Sequence, residues 1–388
     1  MSHATIEQPK WSDAHLDEMR SIGDPVADRV VRDVFADGDV DEVRRLLRRV
    51  LDHDDAAEAD LPEHVRGYLE SLGNVPAGTD LDRLARGQRV FQEFGVPISV
   101  ALFCASLPSA YACAKGVHVL AQTARLETDT RRRIMETGQF LVDALGPRGL
   151  EPSGPGILAI QRVRLMHAAV RALIDAHHRA DPTSWDPANG TPINQEDLAG
   201  TLLSFSYTVV EPLPRLGIDL AAAEQADYLY VWEVIGAMLG LRADMIPRSI
   251  DESTTLVTAI RRRQYGRSAD GVVMANALIE LLREMTPIAP LRRSIPDLIR
   301  LLSGDEVARI LQLPEPARHY GWTRLVRVWL RLTTHEAENH RVLRSLATHV
   351  GWFVLRGMLD VERQGEHRAD FDIPDELANH WRLHDAPD

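Results

Sequence analysis

Cysteine is nearly absent: Cys104 and Cys113 are the only two in 388 residues, and both fall in an apolar stretch. That count excludes a disulfide framework and any four-thiolate zinc or iron–sulfur site, and it predicts buried, inert thiols. Positive charge is also short, with 44 Lys and Arg against 57 Asp and Glu and a formal net charge of −13. Phosphate binding needs a concentrated basic excess, so no nucleic-acid partner is expected. The runs Arg131-Arg132-Arg133 and Arg261-Arg262-Arg263 have acidic neighbours and read as solvated helix faces, with a carboxylate or phosphate contact as the competing reading. The N-terminal sequence lacks the basic start, apolar run and twin arginine of export signals, so a cytoplasmic location is expected.

Alternating β-branched runs are almost missing as well, whereas apolar residues recur at three and four along most of the chain. The expected fold is all-α, a single large multi-helix domain, since no Gly/Ser linker or solenoid-length repeat divides the sequence. The expected division is an N-terminal extension over 1–20, the helical domain over 21–367 and an acidic, Pro-containing tail over 368–388. "DPVADRVVRDVF", "DVDEVRRLLRRVLD" and the stretch near 318–345 read as amphipathic helices. Further helices are expected over 128–145, 157–179, "QEDLAGTLLSFSYTVV" with Asn194 as its N-cap, "AAAEQADYLYVWEVIGAMLGL" and 270–284. The segment from Phe94 to Ala114 carries no charge and is long enough to cross a bilayer, but Pro97 and Pro108 interrupt it. It reads as a helix end, a break and a second helix, both in the core, so no transmembrane segment is expected; a membrane-surface role competes.

"VRLMHAAVRALIDAHH" holds the most informative histidine. Ile160, Val163, His167, Val170 and Ile174 fall on one helical stripe, which turns His167 inward. Such a histidine is either a satisfied core residue or a metal ligand. Ala168, Ala169 and Ala172 thin the helix surface, and Arg162, Arg164 and Arg171 surround it. A flat macrocycle needs that room, and haem propionates pair with arginines. Equally physical is close helix packing on the alanines with an Arg171–Asp175 ion pair. His177 and His178 lie at the polar helix end.

"QRVRLMHAAVR", then "PINQEDLAGTLLSFS", then "YLYVWEVIGAMLGL…MIP" resemble, in order and spacing, the MpaB-type oxygenase family, whose best-known branch is the latex clearing proteins that cleave polyisoprene. The resemblance covers roughly 20–360, with its specific blocks over about 136–247. It implies an all-α fold around a b-type haem (haem b, Fe), with dioxygen and a hydrophobic small molecule as the partners. By resemblance, Arg162 matches an arginine near the oxygen-binding side, Met166 occupies the place of a pocket threonine, and Leu203 stands about where the axial histidine of the latex clearing branch would be. Leucine cannot bind iron, so His167 becomes the candidate axial ligand, with Arg164 and Arg171 beside it; His118, His177 and His178 compete. Glu136 and Glu151 are candidate proton donors, each with a solvated carboxylate as the plainer reading. The competing function is a non-catalytic haem or hydrophobic-ligand binding protein of the same fold.

Two motifs are set aside. In "HEAENH", His335 and His340 are five apart, about 140° round a helix, whereas the zinc-protease pair needs four. "GPRGLEPSGPG" follows a helix and lacks the lysine of a phosphate loop, so it reads as a turn.

Overall fold

A computed structural model describes residues 10–37, 62–123, 130–286 and 292–315. "DVDEVRRLLRRVLD", the stretch 318–345, "HEAENH" and the acidic tail lie outside the described residues. In chain order the α-helices of five residues or more among the described residues are α1 Asp13–Arg20, α2 Pro25–Asp37, α3 Glu63–Ser71, α4 Leu81–Ala101, α5 Leu107–Tyr111, α6 Ala114–Thr123 and α7 Thr130–Leu145. They continue with α8 Pro155–Ala180, α9 Gln195–Phe205, α10 Ala222–Met238, α11 Ile250–Gln264, α12 Ala269–Met285, α13 Ile295–Ser303 and α14 Asp305–Ile310. No strand occurs among the described residues, and the all-α expectation holds.

The helix boundaries follow local chemistry. Asn194 caps α9 as expected, its side chain accepting from the Asp197 amide at 3.0 Å. α7 ends at Leu145, and α8 opens on Pro155, whose missing N–H costs nothing in a first turn. Two glycines let helices approach closely. A Cβ on Gly87 would lie 2.1 Å from the Asp227 carbonyl oxygen, so only glycine lets α4 meet α10 there; one on Gly156 would lie 2.6 Å from the Ala144 Cα, which locks the α7–α8 hairpin.

The apolar segment after Phe94 differs from the reading above. The chain stays helical from Leu81 to Tyr111, and Pro97 sits inside α4 instead of ending it. Proline has no N–H for the preceding turn, and the strain is taken up at Phe94, which leaves helical geometry at φ −110° and ψ 23°. A π-helical turn, Leu102–Ser106, then delivers the chain to α5 with Pro108 in its first turn. By length and composition this path could cross a membrane; 56% of its apolar window is buried against the rest of the protein.

Residues 11–20 are no extension. Trp11, Leu16 and Met19 are buried in the main core, and the Arg20 guanidinium donates to Glu196 at 3.2 Å and Asp197 at 3.0 Å, and to the Asn189 carbonyl. The Arg261–Arg263 run is corrected likewise. Arg263 is largely covered and pairs with Glu196 at 2.9 Å and Asp17 at 2.5 Å, while Arg261 reaches Glu211 at 3.3 Å and only Arg262 stays on the surface. Acidic residues from α1 and α9 converge there, and a charge run facing them is spent on ion pairs.

The second set of pairs holds α2 on α8. Arg164 grips Asp24 with two bonds, 2.5 and 2.9 Å, and also donates to the Met238 carbonyl; Arg171 meets Asp28 at 2.7 Å and the Ile193 carbonyl at 3.1 Å. Losing one partner of a buried pair strands the other charge. Arg164→Met is expected to cost about 3–5 kcal/mol in urea unfolding, and Asp24→Leu added to it is expected to restore most of that loss.

Candidate functional site

The helix breaks create a pocket. Ridges of side chains close the space between regular helices, whereas the kink at Phe94, the π turn and the end of α9 interrupt those ridges in one place. A small apolar cavity lies there, open in part to solvent. α4 contributes Phe91 and Ser99, the π turn Leu102 and Phe103, α7 a face running from Ile134 to Leu141, and Phe205 and Met285 complete the wall. No lining residue carries a charge. Of the lining hydroxyls, Ser99 donates to its own helix at Gly95, 2.7 Å, and Thr137 comes from α7. Cys104 sits in the π turn, and burial pushes its thiol up to about 12, so it stays protonated and inert.

The candidate cofactor residues distribute unevenly around this space. α8 is buried on most of its sides, and His167 is the exception on its stripe: Ile160, Val163, Val170 and Ile174 are buried, as are the flanking Arg164 and Arg171, whereas His167 is half-buried. Counting from Gly156 against Ala144 at equal rise, His167 stands about level with the first turns of α7, the helix whose Ile134 and Thr137 line the pocket.

The other expected residues are placed elsewhere. Arg164 and Arg171 lie beside His167, but their guanidiniums are committed to Asp24 and Asp28, and Asp28 takes the place expected for Asp175. These two arginines are therefore braces of α2, and the propionate role assigned to them is withdrawn. Ala168 and Ala169 do not make room for a macrocycle, because Val31, Val65 and Tyr68 from α2 and α3 pack with them in one cluster. Arg162 is half-buried on α8, about 140° round from His167, so the two cannot face each other across a flat group. Met166 packs between two apolar clusters and does not line this pocket. Leu203 is fully buried in the main core, away from the lining. Glu136 is buried and Glu151 is an exposed partner of Arg148.

Among the competing histidines, His118 bonds through Nδ1 to Asp270 at 2.9 Å and through Nε2 to the Gln122 amide at 3.2 Å, against the Trp185 ring. Both its nitrogens are occupied. His177 and His178 lie in the last turn of α8.

A family model described as "ER-bound oxygenase mpaB/B'/Rubber oxygenase, catalytic domain" matches residues 89–334, and so encloses every lining residue of the pocket and His167. The chain belongs to this family. A curated relative, the rubber oxygenase of Streptomyces sp. (strain K30), is 24% identical over 267 residues, 68% of this chain and 64% of the relative, so the match spans a little under two thirds of that protein. A solved structure of latex clearing protein LCP in the closed state superposes with a TM-score of 0.69 at 23% identity, covering 83% of this chain and 90% of the other, which shows a shared fold. In this member of the family, α4, which lines the pocket, is also tied to α10 by one carboxylate.

That carboxylate is Asp227, which accepts from Arg86 at 2.6 Å and Arg83 at 3.2 Å. The Arg86 hydrogen bond, with Arg83 behind it, holds its carboxyl below the ordinary 3.8. A depressed carboxyl stabilises the fold above its ordinary value, and that contribution is lost as pH falls through the folded one. Asp227→Asn is expected to lower the urea midpoint near neutrality, and the gap to the parent is expected to close as pH is taken below 3.8. A gap that persists unchanged in acid assigns the loss to packing.

Proposed function

We propose that this chain is an oxygenase that takes a neutral, hydrophobic molecule of small or medium size into the charge-free pocket and oxidises it with dioxygen. The observation that carries this reading is the pocket itself, an uncharged space at the helix breaks, enclosed by the stretch that matches an oxygenase catalytic domain. Support also comes from the curated relative, which is named a rubber oxygenase.

A b-type haem fits the donor that this chain offers. His167 is half-buried on α8, within the stretch that matches the oxygenase catalytic domain, whereas His118 is held between Asp270 and Gln122. Neutral imidazole is an ordinary axial ligand of haem iron, and the group when bound supplies the oxygen chemistry. The protein's own share is positional. The aromatic and aliphatic walls exclude water and hold an apolar substrate, and Thr137 is a pocket hydroxyl able to orient a polar atom of it. A carrier of hydrophobic ligands is the second reading, favoured by one observation: no ionisable side chain lines the pocket to move a proton.

Expression with iron and haem precursor tests the assignment. The parent protein and His118→Ala are expected to show a Soret band, and His167→Ala to lose it while its far-UV circular dichroism stays unchanged. A band that survives in His167→Ala moves the ligand to another residue. Oxygen uptake with hydrophobic substrates then separates an oxygenase from a carrier.

A further inference from the structure

The wall of the pocket contributed by the end of α9 is built differently from the rest. Phe205 is the last residue of that helix and is half-buried. One side of its ring stacks on the buried Trp232, with centroids 5.2 Å apart and planes 12° from parallel, and its side chain also lines the pocket. Tyr228, fully buried, meets the same indole edge-on at 6.5 Å. Such aromatic pairs add directional preference to the area they bury.

The backbone beneath this ring is held from several directions. Tyr228 donates its hydroxyl to the Phe205 carbonyl at 2.9 Å, and Ser106, from the π turn, donates to the Ser204 carbonyl at 2.7 Å. Ser206, where the helix breaks at φ −102° and ψ −87°, donates back to Leu202 at 2.8 Å. The bonds to Ser204 and Phe205 occupy carbonyls at a helix end, where intrahelical partners run out, and the Leu202 carbonyl also accepts the Ser206 amide at 3.1 Å. A ring stacked on a fixed indole and carried on a pinned carbonyl has little freedom to swing aside for a longer ligand.

We propose that Phe205, braced by Trp232 and Tyr228, is the specificity-determining stop of the pocket and sets the longest apolar chain that the site accepts. The inference rests on the pocket being the substrate site and adds to it which residue limits the substrate. The class it selects is uncharged, because a carboxylate or ammonium in this lining would be desolvated without a partner. Removing the ring would open the pocket toward the face of Trp232, on which the ring stacks.

Isothermal titration calorimetry of the full chain with straight primary alcohols from hexanol to dodecanol reads this directly, without any need for turnover. In Phe205→Ala the affinity ratio of dodecanol to octanol is expected to rise about tenfold over the parent, on the scale of a few methylenes gaining a place in an apolar pocket. Phe205→Leu, which keeps most of the packing against Trp232, is expected to fall between the two, and Phe205→Trp to lower the ratio below the parent. Parent-like near-UV circular dichroism in the Leu variant guards against a folding defect. If the parent binds the series but all three variants change every alcohol by a common factor, Phe205 is not the stop and this inference is overturned. If the parent binds none of the alcohols, the pocket is not the substrate site and the proposed function fails with it.

Discussion

Buried arginine–carboxylate pairs between the first two helices and the interior are the constraint on which the remaining structure depends. Arg20 and Arg263 meet on Glu196, and Arg164 and Arg171 reach across to Asp24 and Asp28. Ion pairs of this kind add little net stability over apolar residues of equal volume, since each charge is first stripped of water. Their effect is on uniqueness: any other packing of α1, α2, α8 or α9 would leave a charge buried alone. Arg164 and Arg171 are seven apart and share a helix face to within about 20°, and they meet Asp24, just before α2, and Asp28, in its first turn. Two such pairs fix both the height and the rotation of α8 on α2.

The rotation of α8 decides what His167 can do. Three residues after Arg164 and four before Arg171, it lies within about 60° of both. With those arginines turned to α2, the imidazole falls at the boundary between the ionic side and the apolar stripe of Ile160, Val163 and Val170. The arginines that look from the sequence like partners for a charged cofactor are thus the reason the histidine is held in place. The motif Gln195-Glu196-Asp197 has the same character. Gln195 donates to the carbonyls of Gly23 and Gly240 and accepts from the Arg242 amide, so it joins the loop before α2 to the loop after α10, and none of these bonds goes to a pocket residue.

The helical class, the Asn194 cap, the ends of α7 and α8 and the inward stripe of α8 were legible because each depends on chemistry within a turn or two. Sites built from distant pieces were not. Asp24 and Arg164 are 140 residues apart, and nothing local to either announces the other, so Arg164 and Arg171 read as free cations beside a histidine. The burial of Trp11, Leu16 and Met19 was hidden for a related reason, because an isolated two-turn helix has too little apolar pattern to separate core from surface. The pocket left one trace, the prolines at 97 and 108 in a charge-free run. They marked an irregularity but not its kind, since Pro97 bends the helix and the π turn restores its path.

Charge and its absence are kept apart in this fold. The pairs of Arg20, Arg164, Arg171 and Arg263 cluster where α1, α2, α8, α9 and α11 meet, whereas the pocket lining, drawn from α4, the π turn, α5, α7, the end of α9 and α12, contains no charged residue. The separation has a chemical consequence. In a wall of hydrocarbon and aromatic edges, a neutral ligand enters with only apolar surface to desolvate, while a charged one must give up hydration that nothing replaces. A space of this kind depends on broken helices, because a continuous α4 packed on a continuous α9 would interdigitate and close. The kink at Phe94, the π turn and the stop at Ser206 are therefore where a helical fold gives up regular packing to hold something other than itself.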